Sequence, residues 1–96
     1  MSATELRVYT HPACRSCQDV LAAARELERD REDVVVAMTS LASEAGRERA
    51  QARDILVVPA VECGETVIED VLSRDDLEAL VDGRYDPAEN DGGFDA

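Results

Sequence analysis

The sequence predicts an α/β domain with the element order βαβαββα, folded as a four-stranded mixed sheet with helices on both faces. Three observations carry this. A run of β-formers near the start leads through a proline into a long segment with helical spacing. A short apolar run follows that helix, and a strand-helix-strand unit implies a parallel pair with a right-handed crossover. Two further β-like runs then flank Gly64-Glu65, the pattern of an antiparallel hairpin, before a final helix.

The elements follow in order. Leu6-Arg7-Val8-Tyr9-Thr10 is rich in β-formers and stops short of Pro12, so it reads as a strand. Arg7 and Tyr9 share one face of it, which makes it less apolar than a buried central strand should be. From about Cys14 to Arg29, Cys17, Val20, Leu21, Ala24 and Leu27 recur at helical spacing, with Arg25, Glu26 and Glu28 off that face. The continuous apolar run from Asp33 to Met38 has the pattern of a strand buried in a parallel sheet. Ser40 to Arg53 reads as a second helix with a thin apolar face, mainly Leu41, Ala45 and Ala52. Ser40 or Ser43 can cap it, and Gly46 weakens it.

Pro59 cannot donate to a sheet ladder, so the next strand begins after it, at Ala60 to Cys63. Thr66 to Glu69 pairs back across Gly64-Glu65. Ser73 with Asp76 three residues on resembles a capping box, Leu77, Leu80 and Val81 supply the apolar face of the last helix, and Gly83 ends it. Residues 1–83 are thus expected to form one domain. Residues 84–96 read as an acidic, flexible tail in which only Tyr85 and Phe94 can pack back.

The chemistry concentrates in Thr10-His11-Pro12-Ala13-Cys14-Arg15-Ser16-Cys17. Two thiols three positions apart at a strand-helix junction suit either reversible disulfide exchange or metal capture. At the start of a helix, unsatisfied N–H groups and the macrodipole stabilise an anion, so Cys14 is the candidate nucleophile. Arg15 adds a nearby cation, and His11 is a loop residue that can tune the same thiol. Cys17 lies one turn further in on the apolar face, a shielded position that suits a resolving thiol. The i, i+3 spacing brings the two sulfurs within disulfide reach.

On these residues the chain resembles the thioredoxin/glutaredoxin superfamily over about Leu6 to Asp82, and within it the small archaeal thioredoxin-like redoxins. Tyr9-Thr10-x-Pro12-x-Cys14-x-x-Cys17 is similar to a glutaredoxin-type active-site segment, and Val58-Pro59 sits where these families place a cis-proline opposite the thiols. The resemblance implies a thioredoxin-like fold and a thiol-disulfide oxidoreductase that reduces protein disulfides and is restored by a separate reductase, with no cofactor. It implies that the Val58 backbone pairs with an extended substrate segment beside Pro59. The chain departs from the family in three places. Arg15-Ser16 replaces the Gly-Pro of typical thioredoxins, and their Trp is missing. No residue aligns with their buried acid. Glu69 to Asp76 carries acidic residues where glutaredoxins hold glutathione with a Gly pair, and Arg74 is the only cation there.

The alternative is a metal or iron–sulfur module using the same cysteine pair, contributed twice by a dimer. Within one chain, His11, Cys14 and Cys17 offer three ligands where structural zinc takes four. Cys63 lies four residues beyond Pro59, roughly 13 Å down the strand. It reads as a turn residue carrying a thiol, or as an exposed thiol for intermolecular disulfides, so no metal ligand is assigned.

An odd number of cysteines argues against a secreted disulfide framework, and no leader-like or membrane-spanning run is seen, so a cytoplasmic monomer is expected. The 96 residues carry 22 Asp and Glu against 10 basic residues, a formal charge of −12, which disfavours nucleic acid and anionic membranes as partners. Every basic residue is Arg. A GC-rich genome favours Arg, Ala, Asp, Glu and Val, but the acidic excess fits better with the surface of halophile proteins, where salt screens self-repulsion. The unfolding midpoint is therefore expected to rise strongly between low and molar KCl, and equal midpoints would overturn this reading.

Overall fold

The computed structural model describes residues 3–86. Its elements are β1 (Thr4–Thr10), α1 (Arg15–Asp30), β2 (Val34–Ser40), α2 (Glu44–Ala52), β3 (Ala60–Cys63), β4 (Thr66–Ile68) and α3 (Arg74–Val81), in the order that the sequence predicts. The sheet order is β2-β1-β3-β4. β1 runs parallel to β2 and antiparallel to β3, and β3 pairs antiparallel with β4.

The pleat of β1 divides the interior. Leu6 and Val8 face a large apolar cluster with Val20, Ala24 and Leu27 of α1 and Leu77 and Leu80 of α3. Tyr9 faces a smaller cluster with Ala50, Ile55 and Ala60 on the α2 side. The Ser73–Asp76 capping box is formed at both of its hydrogen bonds, and Gly83 takes a positive φ just past α3. Tyr85 packs against the larger cluster. Phe94 and the rest of the tail beyond residue 86 lie outside the described residues.

Two strands exchange the positions that their composition suggests. The apolar β2 is an edge strand, with Val35 and Met38 each about half exposed, at 47% and 48%. The more polar β1 is central. The reason is local. Arg7 is partly buried and donates from Nη1 to Thr39 Oγ1 at 2.7 Å and from Nη2 to Glu5, with only its Nε left without a partner, and the Tyr9 hydroxyl donates to the buried Glu62, so the polar face of β1 is largely satisfied. The β2 edge is in turn covered by α1 at Val36. Glu28 accepts from the Val36 N–H at 2.8 Å, which holds its carboxyl below the usual carboxylate range, and Arg25 donates to the Val36 carbonyl. Such covering removes a pairing template from an edge strand.

α2 also differs from expectation. It starts at Glu44 with Ser43 as its cap, because Ser40 still belongs to β2. Its buried residues are Gly46 and Ala50, while Ala45 and Ala52 face solvent. Gly46 is needed for close approach rather than being a mere weakness, since a Cβ there would collide with the Ser40 carbonyl oxygen.

With so little apolar surface on α2, a polar cluster fixes it to the sheet. Glu62 of β3 is only 5% exposed. Its Oε1 accepts from the Tyr9 hydroxyl at 2.6 Å and from Arg49 Nη2 at 3.4 Å, and its Oε2 pairs with Arg53 Nε at 3.0 Å. Arg49 Nε also donates to the Tyr9 oxygen at 3.0 Å. A buried charge is tolerable only when paired in this way. Burial, reinforced by the bond to Glu62, raises the Tyr9 phenol above its ordinary value of 10.0, against the opposing pull of Arg49.

Two outcomes follow. Gly46→Ala should lower stability by about 1–3 kcal/mol in denaturant unfolding through overpacking, against the gain of up to ~1 kcal/mol that helix propensity alone offers. The raised phenol makes stability pH-dependent in the alkaline range. Below the unfolded-chain value of 10.0 both states hold the proton and stability is flat; above it the unfolded state ionises first, so stability falls as pH rises toward the folded-state value. Unfolding curves from neutral to strongly alkaline pH should show this fall, and Tyr9→Phe should flatten it.

Candidate functional site

The thiol pair sits where β1 runs into α1. After Thr10 the chain turns through His11-Pro12-Ala13, with the Cys14 N–H donating to the His11 carbonyl at 2.9 Å and the Ala13 N–H donating to His11 Nδ1 at 3.1 Å. This turn delivers Cys14 in extended conformation to the N-cap of α1, where its Sγ accepts from the Cys17 N–H at 3.1 Å. Side-chain capping of this kind is ordinarily done by oxygen. Cys14 and Cys17 form a disulfide, with their Cα atoms 5.4 Å apart.

The two cysteines are not equivalent. Cys14 is half-buried, whereas Cys17 is 0% exposed, as its place on the apolar face of α1 requires. The Cys17 sulfur lies 4.0 Å from the Tyr9 carbonyl oxygen. No carboxylate occupies the first turn of α1, and the exposed Arg15 does, so the positive end of the helix faces Cys14 unopposed by an acid in that turn. His11 is exposed, and its Nδ1 is engaged within its own turn.

The second part of the site comes from the end of α2. Arg53 caps the helix, and Asp54 takes a left-handed φ of 59° that reverses the chain. The buried Ile55 then anchors the segment, its N–H donating to the Ala50 carbonyl. Leu56 and Val57 are exposed, Val58 is half-buried, Pro59 is buried, and the Val58–Pro59 bond is cis. Ala60 pairs with Tyr9 in the β1–β3 register, so Pro59 falls next to Thr10 at the end of β1. Cys17 lies against the Tyr9 carbonyl, so the register brings Val58-Pro59 and the thiols to the same end of the sheet.

Two residues here escape sequence reasoning. Glu69, expected to close the hairpin, lies beyond β4, and its Oε2 accepts from the backbone N–H groups of Leu56 at 2.8 Å and Val57 at 2.9 Å. No local pattern signals this contact across the sheet edge. Glu62 alternates with Val61 and so faces the opposite side of β3; an acid at an inward position of a short strand is the signal that could have found it.

Cys63 ends β3 at the opposite end from Pro59. It is half-buried, packs against the larger core cluster and has its Sγ 4.0 Å from the Leu80 carbonyl; burial pushes the thiol above its ordinary value. It is neither a bare turn residue nor an open thiol. Among the described residues no three His, Cys, Asp or Glu side chains converge as a metal cluster. No helix among them is long and apolar enough to cross a membrane. Arg74 is held by Glu26 at 2.9 Å and Asp30 at 2.7 Å.

No protein-family model matches the chain. No curated protein matches it either. Solved structures do. An uncharacterized thioredoxin-like protein from Clostridium perfringens superposes with a TM-score of 0.74 at 15% identity, over 85% of this chain and 71% of that one. A mutant thioredoxin from Halobacterium salinarum NRC-1 gives 0.73 at 17% identity, over 88% and 77%. Thioredoxin f2 of Chlamydomonas reinhardtii gives 0.63 at 18% identity, over 86% and 80%. The mixed four-stranded sheet with three helices is thus a thioredoxin-like fold, and it carries a Cys-x-x-Cys disulfide at the start of its first helix.

Proposed function

We propose that this protein is a thiol-disulfide oxidoreductase that reduces protein disulfides through the Cys14–Cys17 couple. The observation that carries the reading is the disulfide itself, formed between a half-buried N-cap cysteine and a fully buried one a turn further in. In the reduced protein the Cys14 thiolate, stabilised by the helix N-terminus and Arg15, attacks one sulfur of the substrate disulfide. A Cys14–substrate mixed disulfide forms and the first substrate thiolate leaves. The Cys17 thiolate then attacks the Cys14 sulfur, closing the Cys14–Cys17 disulfide and expelling the second substrate thiolate. One substrate disulfide becomes two thiols while the protein passes from dithiol to disulfide, and an external dithiol reductase returns the two electrons.

The resting geometry supports this division of roles. Cys17 has no open approach, so intermolecular attack falls to Cys14. His11 borders the same turn and tunes the nucleophile through its position. The backbone at Val58, ahead of Pro59, receives the extended substrate segment. Glutathione dependence has little support, because Arg74 is already engaged by two carboxylates of α1. A monomer is favoured by the covered β2 edge.

With a dithiol reductant the protein should reduce insulin disulfides. Cys14→Ser should lower the rate to that of the reductant alone, and full activity in that variant would refute the assignment. Cys17→Ser should accumulate mixed disulfides through Cys14, visible on non-reducing gels and released by dithiothreitol.

A further inference from the structure

Glu69 is the feature of the site that the exchange chemistry leaves unused. A single oxygen, Oε2, accepts from two successive backbone N–H groups, those of Leu56 and Val57. Both amides belong to the irregular segment between α2 and β3. That segment is fixed at its ends by Ile55 and Pro59, both buried. Between them Leu56 and Val57 leave 88% and 58% of their surface in solvent, and nearby in sequence to Glu69, Val71 leaves 50%. Leu56 and Val57 thus present two adjacent apolar side chains to solvent on a segment whose backbone Glu69 holds.

We propose that Glu69 is a positioning residue that selects substrates. Its carboxylate holds the Leu56 and Val57 amides in one arrangement, so that the Val58 backbone is offered to a partner strand while the apolar side chains of Leu56 and Val57 stay outward. The partner is an extended protein segment bearing the disulfide, with apolar and non-acidic residues flanking its cysteines. The chemistry of the segment supports this choice. Leu56-Val57-Val58-Pro59 carries no charge, and it lies next to a carboxylate in a chain of net charge −12, which repels acidic segments and leaves apolar or basic ones free to dock. Prior fixing of the loop removes part of the ordering cost of binding. A charged acceptor suits the task, because bonds to an ionised group are stronger than neutral ones. This inference rests on the disulfide-exchange reading and adds the substrate class to it.

The test uses the full chain, Glu69→Ala and Glu69→Gln with three substrates. They are a peptide disulfide flanked by Val and Leu, the same peptide flanked by Asp and Glu, and hydroxyethyl disulfide. For the apolar peptide, Glu69→Ala should raise KM about fivefold at unchanged kcat, the scale expected from losing charge-assisted hydrogen bonds. Glu69→Gln keeps an acceptor oxygen and should recover most of that loss. The rate with hydroxyethyl disulfide and the reduction potential of the Cys14–Cys17 couple should not move, and the wild type should prefer the apolar peptide over the acidic one. An unchanged KM in Glu69→Ala, an equal loss with hydroxyethyl disulfide, or no preference between the peptides would overturn the inference while leaving disulfide exchange intact. A wild type that reduces none of the three would overturn both.

Discussion

The carboxylate of Glu62, buried between the sheet and α2, is the constraint on which this half of the molecule depends. α2 contributes only Gly46 and Ala50 to the interior, too little apolar surface to fix its position. Glu62 supplies what packing does not. It draws in the Tyr9 hydroxyl from β1 and two guanidinium groups from α2 and its cap, so three elements meet at one charge. Arg53 is also the last residue before the chain reverses at Asp54 and runs toward Pro59. The loop at the thiol end of the sheet is therefore referenced to the sheet through a polar cluster. An ion pair of this sort is a weak source of net stability but a strong source of geometry, since breaking it strands a charge.

The two faces of the sheet are built on different physics. The α1–α3 side is an apolar cluster of Leu, Val and Ala, and around its rim arginines bridge carboxylates that would otherwise repel. Arg74 links Glu26 and Asp30 of α1 to the start of α3. Arg31 gathers Asp33, Glu78 and Asp82, and its guanidinium holds the Asp33 and Asp82 carboxyls below their usual range. Exposed pairs are individually modest. Their forked geometry explains why arginine rather than lysine suits these junctions, because one guanidinium can serve several carboxylates at once.

The order and type of the elements were legible in the sequence, most firmly where the local signal is strong and least so for α2, whose apolar face is thin. α1 has a full apolar stripe, α3 has a capping box, and the hairpin has a glycine at its turn, whose φ of 62° is one that side chains resist. The thiol pair was legible for the same reason, since its meaning lies in spacing and in its place before a helix. What was not legible depends on contacts between different elements. The polar face of β1 looked wrong for a central strand until Thr39, Arg49 and Glu62 supplied its partners from other elements. The apolar β2 looked buried, yet α1 covers its edge with Arg25 and Glu28 and leaves Val35 and Met38 half in water. Gly46 looked like a defect in a helix, and only the nearness of the Ser40 carbonyl shows that nothing larger fits.

The partial burial of Cys63 bears on which disulfides the chain forms. A chain with three cysteines and one disulfide has an odd sulfur, and a freely exposed third thiol would exchange with that disulfide and scatter it among several isomers. Here that residue is half-buried against the core cluster at the far end of β3 from Pro59, and burial holds its proton more firmly than usual. The spare thiol fills space beside the core, away from the Cys14–Cys17 disulfide.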